Sequence, residues 1–368
     1  MNVGIPKERR DLERRVGLTP YGVELLTCAG HVCHVEKEAG LGAGFTDYHY
    51  ERAGGRIVYS GEEVYGRADM VLKAVRPIQE ELEWLREGQT LCGFLHLAAA
   101  RRETVQTLLE KRITAIAYET IEEDDGDLPV LYTMSEVAGR MAPQLAATFL
   151  QSNHGGRGVL LSGVAGIPAA RVAILGAGVL GTSAARAFFG LGADVFVLDR
   201  NLERLRQIDQ RFNGCVTTMV AYPFNIARVA RFAEVLIGAV LTPGARAPII
   251  VTREMVHSMK RGAVILDFSI DQGGCVETSR PTTLRDPVFI EEDDGDLPVL
   301  HTMSEVAGRM APQLAATFLQ SDHGGRGVLL SGVPGIPAAR VAILGGGVLG
   351  TSAARTFFGL GADVFVLD

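Results

Sequence analysis

The sequence predicts an α/β protein of two domains, each built on a parallel sheet. Short β-rich runs alternate with helical patterns over most of the chain, the arrangement that covers a parallel sheet on both faces. Glycine is abundant, with 44 in 368 residues against an average of roughly 7%, as many tight strand–helix turns require. The length fits two domains or three, each large enough to bury a core, and 47% hydrophobic content excludes disordered and fibrous classes.

In the first domain, residues 1–130, strands are expected at 3–5, 32–35, 70–75, 90–95 and 113–118, where β-branched and apolar residues cluster. Helices are expected at 20–29 and 102–109. Thr19 as N-cap, Pro20 at the first helical position and Gly30 just past the end punctuate the first of these. After the acidic turn 122–127, the apolar residues Met134, Val137, Ala138, Met141, Ala142, Leu145, Ala146, Phe149 and Leu150 recur at i, i+3, i+4 spacing, predicting a helix that joins the domains. The second domain, 131–289, continues with strand 172–175, helix 179–189, strand 195–198, helix 202–211 and strands 235–239 and 264–268.

Residues 121–199 recur as 290–368, offset by 169, and five of the 79 positions differ: Tyr132/His301, Asn153/Asp322, Ala165/Pro334, Ala177/Gly346 and Ala187/Thr356. Solenoid units are shorter, about 20–50 residues, and need three or more neighbours. A gene-level event, either a recent tandem duplication or an error in assembling the sequence, explains such likeness better than selection for two sites. The copy repeats the joining helix at 303–319 and a glycine turn at Gly345, Gly347 and Gly350, then ends at Asp368. This partial βαβ segment cannot bury both faces of a parallel sheet, so no independent second nucleotide site is expected. It is expected to dock loosely, or to compete with the first copy for its place in the sheet and invite domain swapping.

Lys and Arg total 36 against 43 Asp and Glu, a net charge of −7 with no run of five like charges, which excludes the electrostatic footprint of a nucleic-acid or polybasic membrane binder. Small-molecule partners are expected. The start MNVGIPKERR lacks the basic and apolar regions of a secretory signal. The most apolar long window, 158–181, is broken by Gly163, Gly166, Pro168 and Arg171, which argues against a membrane helix. A cytoplasmic protein is expected. Cys28, Cys33, Cys92, Cys215 and Cys275 form no CxxC pair, in keeping with reduced thiols, and His31, His34, His49, His154 and His257 fit no metal-ligand spacing. No metal is expected.

Gly176, Gly178 and Gly181 form a G-x-G-x-x-G turn directly after an apolar strand and opening a helix. The first glycine permits the turn, the second lets the backbone approach a pyrophosphate, and the third lets helix and strand pack closely. The helix N-terminus offers unpaired N–H groups to the phosphates. Asp199, ending the next strand, is placed to accept ribose hydroxyls and so to favour NAD over NADP, although the adjacent Arg200 leaves NADP open. The alternative is a tight turn with no ligand. Both domains are expected to be Rossmann-like, the first from its alternating strands and helices and the second from this turn as well. His96 follows an apolar strand at the carboxyl end where open α/β sheets place ligands, and reads equally as a structural histidine. Arg15 is placed between the first strand and helix to pair with a carboxylate, or is one of several solvated arginines. Asp271 follows strand 264–268 and precedes Gly273 and Gly274, aimed at a cleft or closing an Asx turn.

The ordered strings GIPKE, RVGLTP, FLHLA, AYET, MSEVAGR, GGRGVLLSGV, the glycine turn, IGAVLTPGARAP and IDQGGC followed by SRPTT resemble the alanine dehydrogenase family, collinearly from Met1 to about Phe289. The resemblance implies a substrate (catalytic) domain and an NAD-binding domain, with the active site in the cleft between them, in a homo-oligomer that is a hexamer. It implies reversible NAD-dependent deamination of L-alanine to pyruvate and ammonium. On matching positions Arg15 holds the substrate carboxylate, His96 hydrogen-bonds the keto or imine oxygen and moves a proton, and Asp271 activates the water that attacks the imine. Ser135, Gly176, Gly178, Gly181, Asp199, Val240 and Leu241 match the family's cofactor positions.

The chain departs from the family twice. Where the family reads Leu-Lys-Val-Lys-Glu-Pro, this chain reads Leu72-Lys73-Ala74-Val75-Arg76-Pro77, so Val75 replaces a lysine that contacts substrate. Lys73 lies on the same strand face but about 6.6 Å away, and Arg76 is expected on the other face or in the following turn. Loss of that charged contact costs roughly 2 to 4 kcal/mol, or about 30- to 1000-fold in rate. After Phe289 the second copy stands where the family has a segment closing the cofactor domain. Both departures weigh against full activity. The alternatives are an NAD(H)-binding subunit like the soluble domain of transhydrogenases, or a non-catalytic remnant.

Overall fold

A computed structural model describes residues 1–283, 287–291, 329–331, 337–344 and 348–367. The chain divides into two compact units. The first comprises Met1–Leu131 with Pro243–Ala245 and Thr282–Phe289, and the second Tyr132–Thr242, Arg246–Pro281 and Ile290–Asp368.

The first unit is a six-stranded parallel sheet of β1 (Asn2–Ile5), β2 (Val32–Glu36), β3 (Arg56–Val58), β4 (Met70–Val75), β5 (Thr90–Phe94) and β6 (Thr114–Ala117), ordered β3-β2-β1-β4-β5-β6. Its helices are α1 (Pro20–Cys28), α2 (Asp47–Arg52), α3 (Gly61–Arg67), α4 (Gln79–Trp84) and α5 (Arg102–Glu110). α1 begins as its sequence dictates, with the Thr19 hydroxyl accepting the Gly22 N–H at 3.4 Å. Two apolar clusters stabilise the unit, one around Val3, Ile5, Val35 and Tyr50, the other around Tyr65, Leu82, Leu91 and Leu95. The strand order reverses between β1 and β4, so the carboxyl ends there face the crevice where such sheets bind ligands.

The 21-residue helix α6 (Pro129–Phe149) carries the chain onward. The second unit holds a five-stranded parallel sheet, β7 (Arg171–Leu175), β8 (Asp194–Asp199), β9 (Thr217–Val220), β10 (Val235–Gly238) and β11 (Val264–Asp267), in the order β11-β10-β7-β8-β9. Helices α7 (Val179–Gly190), α8 (Leu202–Arg211), α9 (Pro223–Phe232) and α10 (Arg253–His257) complete it. Central strands β7 and β10 are apolar runs with Val172, Ala173, Ile174, Leu175, Val235, Leu236 and Ile237 all fully buried, as a sheet covered on both faces requires. Strands β3 and β9 and the helices α2, α3, α4, α9 and α10 go beyond the elements read from sequence. Among the described residues no helix is long and apolar enough to cross a membrane.

In the second copy, β12 (Arg340–Leu344), α11 (Val348–Gly359) and β13 (Asp363–Leu367) repeat the βαβ geometry of β7, α7 and β8, and the two strands pair with each other in parallel. They do not displace the first copy from the five-stranded sheet, so the expected competition for that place does not occur. Instead α11 packs on α7: a Cβ on Gly190 would lie 2.0 Å from the Gly359 carbonyl oxygen, and one on Gly359 would lie 2.1 Å from that of Gly190. These glycines are 169 positions apart, so equivalent points of the two copies meet each other. Leu330, Ala353, Phe357 and Leu360 share one core with Ala184, Ala185 and Phe188, a firmer docking than a loose appendage. The expected helix 303–319 and the turn Gly345 to Gly347 lie outside the described residues.

Candidate active site

In the first unit the carboxyl ends of β4, β5 and β6 bring three chemistries together. His96, just after β5, has a left-handed backbone, φ 45° and ψ 48°, which costs a non-glycine residue about 1–2 kcal/mol. The Glu119 carboxylate, in the turn after β6, accepts the N–H groups of Leu95 at 3.2 Å and His96 at 2.5 Å. The Arg76 guanidinium, just after β4, donates to the carbonyls of Leu95 at 3.3 Å and His96 at 3.2 Å. The imidazole stacks on Phe94 with centroids 6.0 Å apart. Its Nδ1 is buried without a hydrogen-bond partner, 3.9 Å from Glu119 Oε1. Nδ1 thus faces the carboxylate without bonding to it.

Arg15 is half-exposed and already holds a carboxylate: its Nε and Nη2 donate to Glu13 at 2.8 and 2.7 Å. Burial pushes the Glu13 carboxyl up, but the hydrogen bond and charge of Arg15 outweigh it and hold the group below the usual carboxylate range. This bidentate fork is the geometry a substrate carboxylate would take over. Lys73 is fully buried and paired with Glu8 at 2.9 Å and Glu81 at 2.6 Å, so it is committed to the core. An irregularity in the β4–β5 register between Leu72 and Val75 breaks the period-two alternation on which a shared face for Lys73 and Val75 depends. Arg76 does not stay in its own turn but crosses to the carbonyls that end β5.

In the second unit Gly176 has φ 115°, and a Cβ there would lie 2.3 Å from the Ala239 carbonyl oxygen. A Cβ on Gly181 would lie 1.8 Å from the Gly176 carbonyl, so helix and strand meet as closely as glycine allows. Gly178 is different, with nothing within 4 Å of its Cβ position. It is the N-cap of α7, and no side chain caps the first N–H groups of the helix there. A pyrophosphate fits this cradle. The Asp199 carboxylate accepts the N–H groups of Ala177 at 2.7 Å and Asn201 at 2.7 Å, which ties the end of β8 to the glycine turn and leaves further lone pairs for ribose hydroxyls.

The remaining predicted positions of this unit cluster at the same sheet end. Val240 follows β10, and its N–H and carbonyl are both held by the Ser269 hydroxyl, at 3.1 and 2.8 Å. Leu241 beside it is exposed. Asp271, in the short turn after β11, is exposed, and its carboxylate makes no hydrogen bond with a described residue, so it closes no Asx turn. Ser135 lies one helical turn before Gly139, whose Cβ position is 2.5 Å from the Leu180 carbonyl, so this face of α6 packs on the first turn of α7. Cys275 is inert: burial and then the neighbouring Asp267 push its thiol up to about 12. Arg15 and His96 belong to the first unit, and Ser135, Gly176, Gly178, Gly181, Asp199, Val240, Leu241 and Asp271 to the second.

Sequence reasoning passed over Glu119, Glu13 and Ser269 as site residues. The polar hydroxyl of Ser269 next to a strand end was the available signal. Glu119 stands in the string AYET, but its tie to His96 comes from strand adjacency, which the local sequence does not show.

Comparison with known proteins places these features in one group. Residues 4–138 match the sequence model of the alanine dehydrogenase/PNT N-terminal domain, and residues 142–306 and 311–368 each match that of the alanine dehydrogenase/PNT C-terminal domain. The chain is 47% identical over 290 residues to an alanine dehydrogenase of Methanococcus maripaludis, covering 78% of each chain. It is 47% identical over 292 residues to one of Geobacillus stearothermophilus, covering 79% of this chain and 78% of the other. Among solved structures, an L-alanine dehydrogenase superposes with a TM-score of 0.71 at 45% identity, over 79% of this chain and 80% of the other. A transhydrogenase from Sinorhizobium meliloti superposes at 0.62 with 28% identity, over 76% and 82%.

Proposed function

The chain belongs to the alanine dehydrogenase/PNT family, and from that premise we propose that it catalyses the reversible NAD-dependent oxidative deamination of L-alanine to pyruvate and ammonium. The observation that carries this reading is the His96 imidazole, held just past a strand's carboxyl end with its buried Nδ1 3.9 Å from Glu119 Oε1. NAD, when bound, supplies the acceptor for the hydride that leaves Cα of the amino acid.

The residues divide the remaining work. Arg15 exchanges Glu13 for the substrate carboxylate, swapping one bidentate pair for another. His96 hydrogen-bonds the oxygen that becomes the keto group and moves its proton, a role worth about 100- to 10,000-fold. Asp271, exposed and unengaged, takes a proton from the water whose oxygen adds to the imine carbon, after which ammonium leaves. The N–H groups opening α7 hold the pyrophosphate beside Gly178, with Asp199 on the ribose. Ser135, Val240 and Leu241 flank the cofactor.

Reductive amination of pyruvate by the purified protein with ammonium and NADH tests the reading, alongside His96→Gln. Turnover that falls about 100-fold or more in the variant supports it; equal rates remove His96 from the chemistry. A transhydrogenase-like NAD(H)-binding role without an amino-acid site draws on Val75 and the likeness to the Sinorhizobium protein. Binding of pyruvate to the NADH complex would reject that second reading.

A further inference from the structure

We propose that Arg76 is a positioning residue for His96, its guanidinium acting with the Glu119 carboxylate as a two-sided clamp on the left-handed backbone of the catalytic histidine. The inference rests on the reading of His96 given above and deepens it.

His96 is not glycine, yet it holds φ 45° at the one point where β5 turns into its loop. Relaxing to an extended backbone would relieve the strain and swing the ring away from Phe94 and Glu119. What prevents this is on both sides of the chain. Glu119, an anion, takes the two N–H donors of Leu95 and His96. Arg76, a cation, serves the two carbonyl acceptors of the same residues. Each charge meets the peptide groups of matching polarity, and such charge-assisted bonds are the stronger kind. The Ala99 N–H adds a further bond to the His96 carbonyl at 3.1 Å.

The strand order makes the clamp possible. Because β4 and β6 flank β5, residues just beyond β4 and β6 reach the end of β5 from opposite sides. Lys73 cannot serve, being held by Glu8 and Glu81, and Val75 carries no donor beyond its backbone. Arg76 itself is part-buried, and its Nη1 reaches both carbonyls.

The experiment compares Arg76→Met and Arg76→Lys with the unaltered protein, using steady-state kinetics with pyruvate, ammonium and NADH and the His96 ring signal in carbon-labelled protein, assigned by its loss in His96→Gln. Arg76→Met is expected to lower kcat about 10- to 100-fold while the KM for pyruvate stays within about twofold, and Arg76→Lys to recover most of the loss. The ring signal is expected to be single in the unaltered protein and in Arg76→Lys, and broadened or doubled in Arg76→Met. An unchanged kcat with one sharp signal in Arg76→Met overturns the proposal, as does a raised KM at constant kcat, which would make Arg76 a substrate ligand. If the unaltered protein does not turn over, the proposed function fails while the ring signal still decides the clamp. Should Arg76→Met not fold, Arg76→Gln replaces it with the same two expectations.

Discussion

Arg15, His96 and Asp199 show how single residues were read from sequence and what context added. Their types and places after strands were legible, because open parallel sheets bind ligands outside the carboxyl ends of their strands, whereas the roles proposed for them come from the family resemblance. Their partners were not. Glu119 lies 23 residues from His96 and meets it through the pairing of β5 with β6, while the reach of the Arg76 guanidinium to the Leu95 and His96 carbonyls just past β5 has no mark in the local sequence. Two consequences belong to this scale. Arg15→Lys replaces a planar fork by a point charge, so the KM for pyruvate should rise about tenfold while NADH affinity, read by fluorescence titration, stays constant. Asp199→Ala removes the acceptor that ties β8 to the glycine turn, so NADH binding should weaken and discrimination against NADPH should narrow.

The clearest lesson about elements comes from a sequence used twice. Arg-Val-Ala-Ile-Leu forms a strand both as β7 and as β12, with the same parallel register to the strand that follows. Leu175 is fully buried, whereas Leu344 is 82% exposed. Local pattern therefore specifies the βαβ unit, and the neighbouring β10 and helices decide whether its faces are covered. Most of the elements missed are short, since three residues in β3 or four in β9 carry too little periodicity to stand out, although the ten-residue α9 was missed as well. α11 nonetheless contributes to a shared core: Phe357 is 5% exposed within it. Phe357→Ala should lower stability by about 3 kcal/mol, seen as an earlier urea midpoint, and no shift would mean that the copy is undocked. At the amino end of the sheet, Glu234 just precedes β10, and its carboxylate accepts the Arg171 N–H at 2.7 Å and pairs with Lys260. Burial raises its carboxyl, yet the hydrogen bonds from Lys260 and Arg171 prevail and hold it below the usual range. A depressed carboxyl stabilises the fold fully above its unfolded pKa of about 4.3, and that contribution is lost as pH falls through the native value. Glu234→Gln should thus cost about 2 kcal/mol at neutral pH, and the gap from the unaltered protein should close in acid.

For the whole molecule, the repeat and the two-unit division separate what is enzyme-like from what is added. The body through Phe289 carries the ordered strings that match alanine dehydrogenases, and the second copy attaches to the second unit helix against helix, through glycines that allow close approach. Sequence pattern foretold the duplication and the incomplete sheet, but not the docking, because the complementarity of Gly190 and Gly359 exists only once α7 and α11 are built. The reading proposed for the chain is an amino-acid dehydrogenase, despite Val75. Its most direct measurement is NADH formation by the purified protein from L-alanine and NAD. The account predicts L-alanine-dependent NADH formation, slowed by the loss of the lysine at position 75 and raised in Val75→Lys. Tight NADH binding with no L-alanine-dependent NADH formation, in either the natural chain or Val75→Lys, would contradict it.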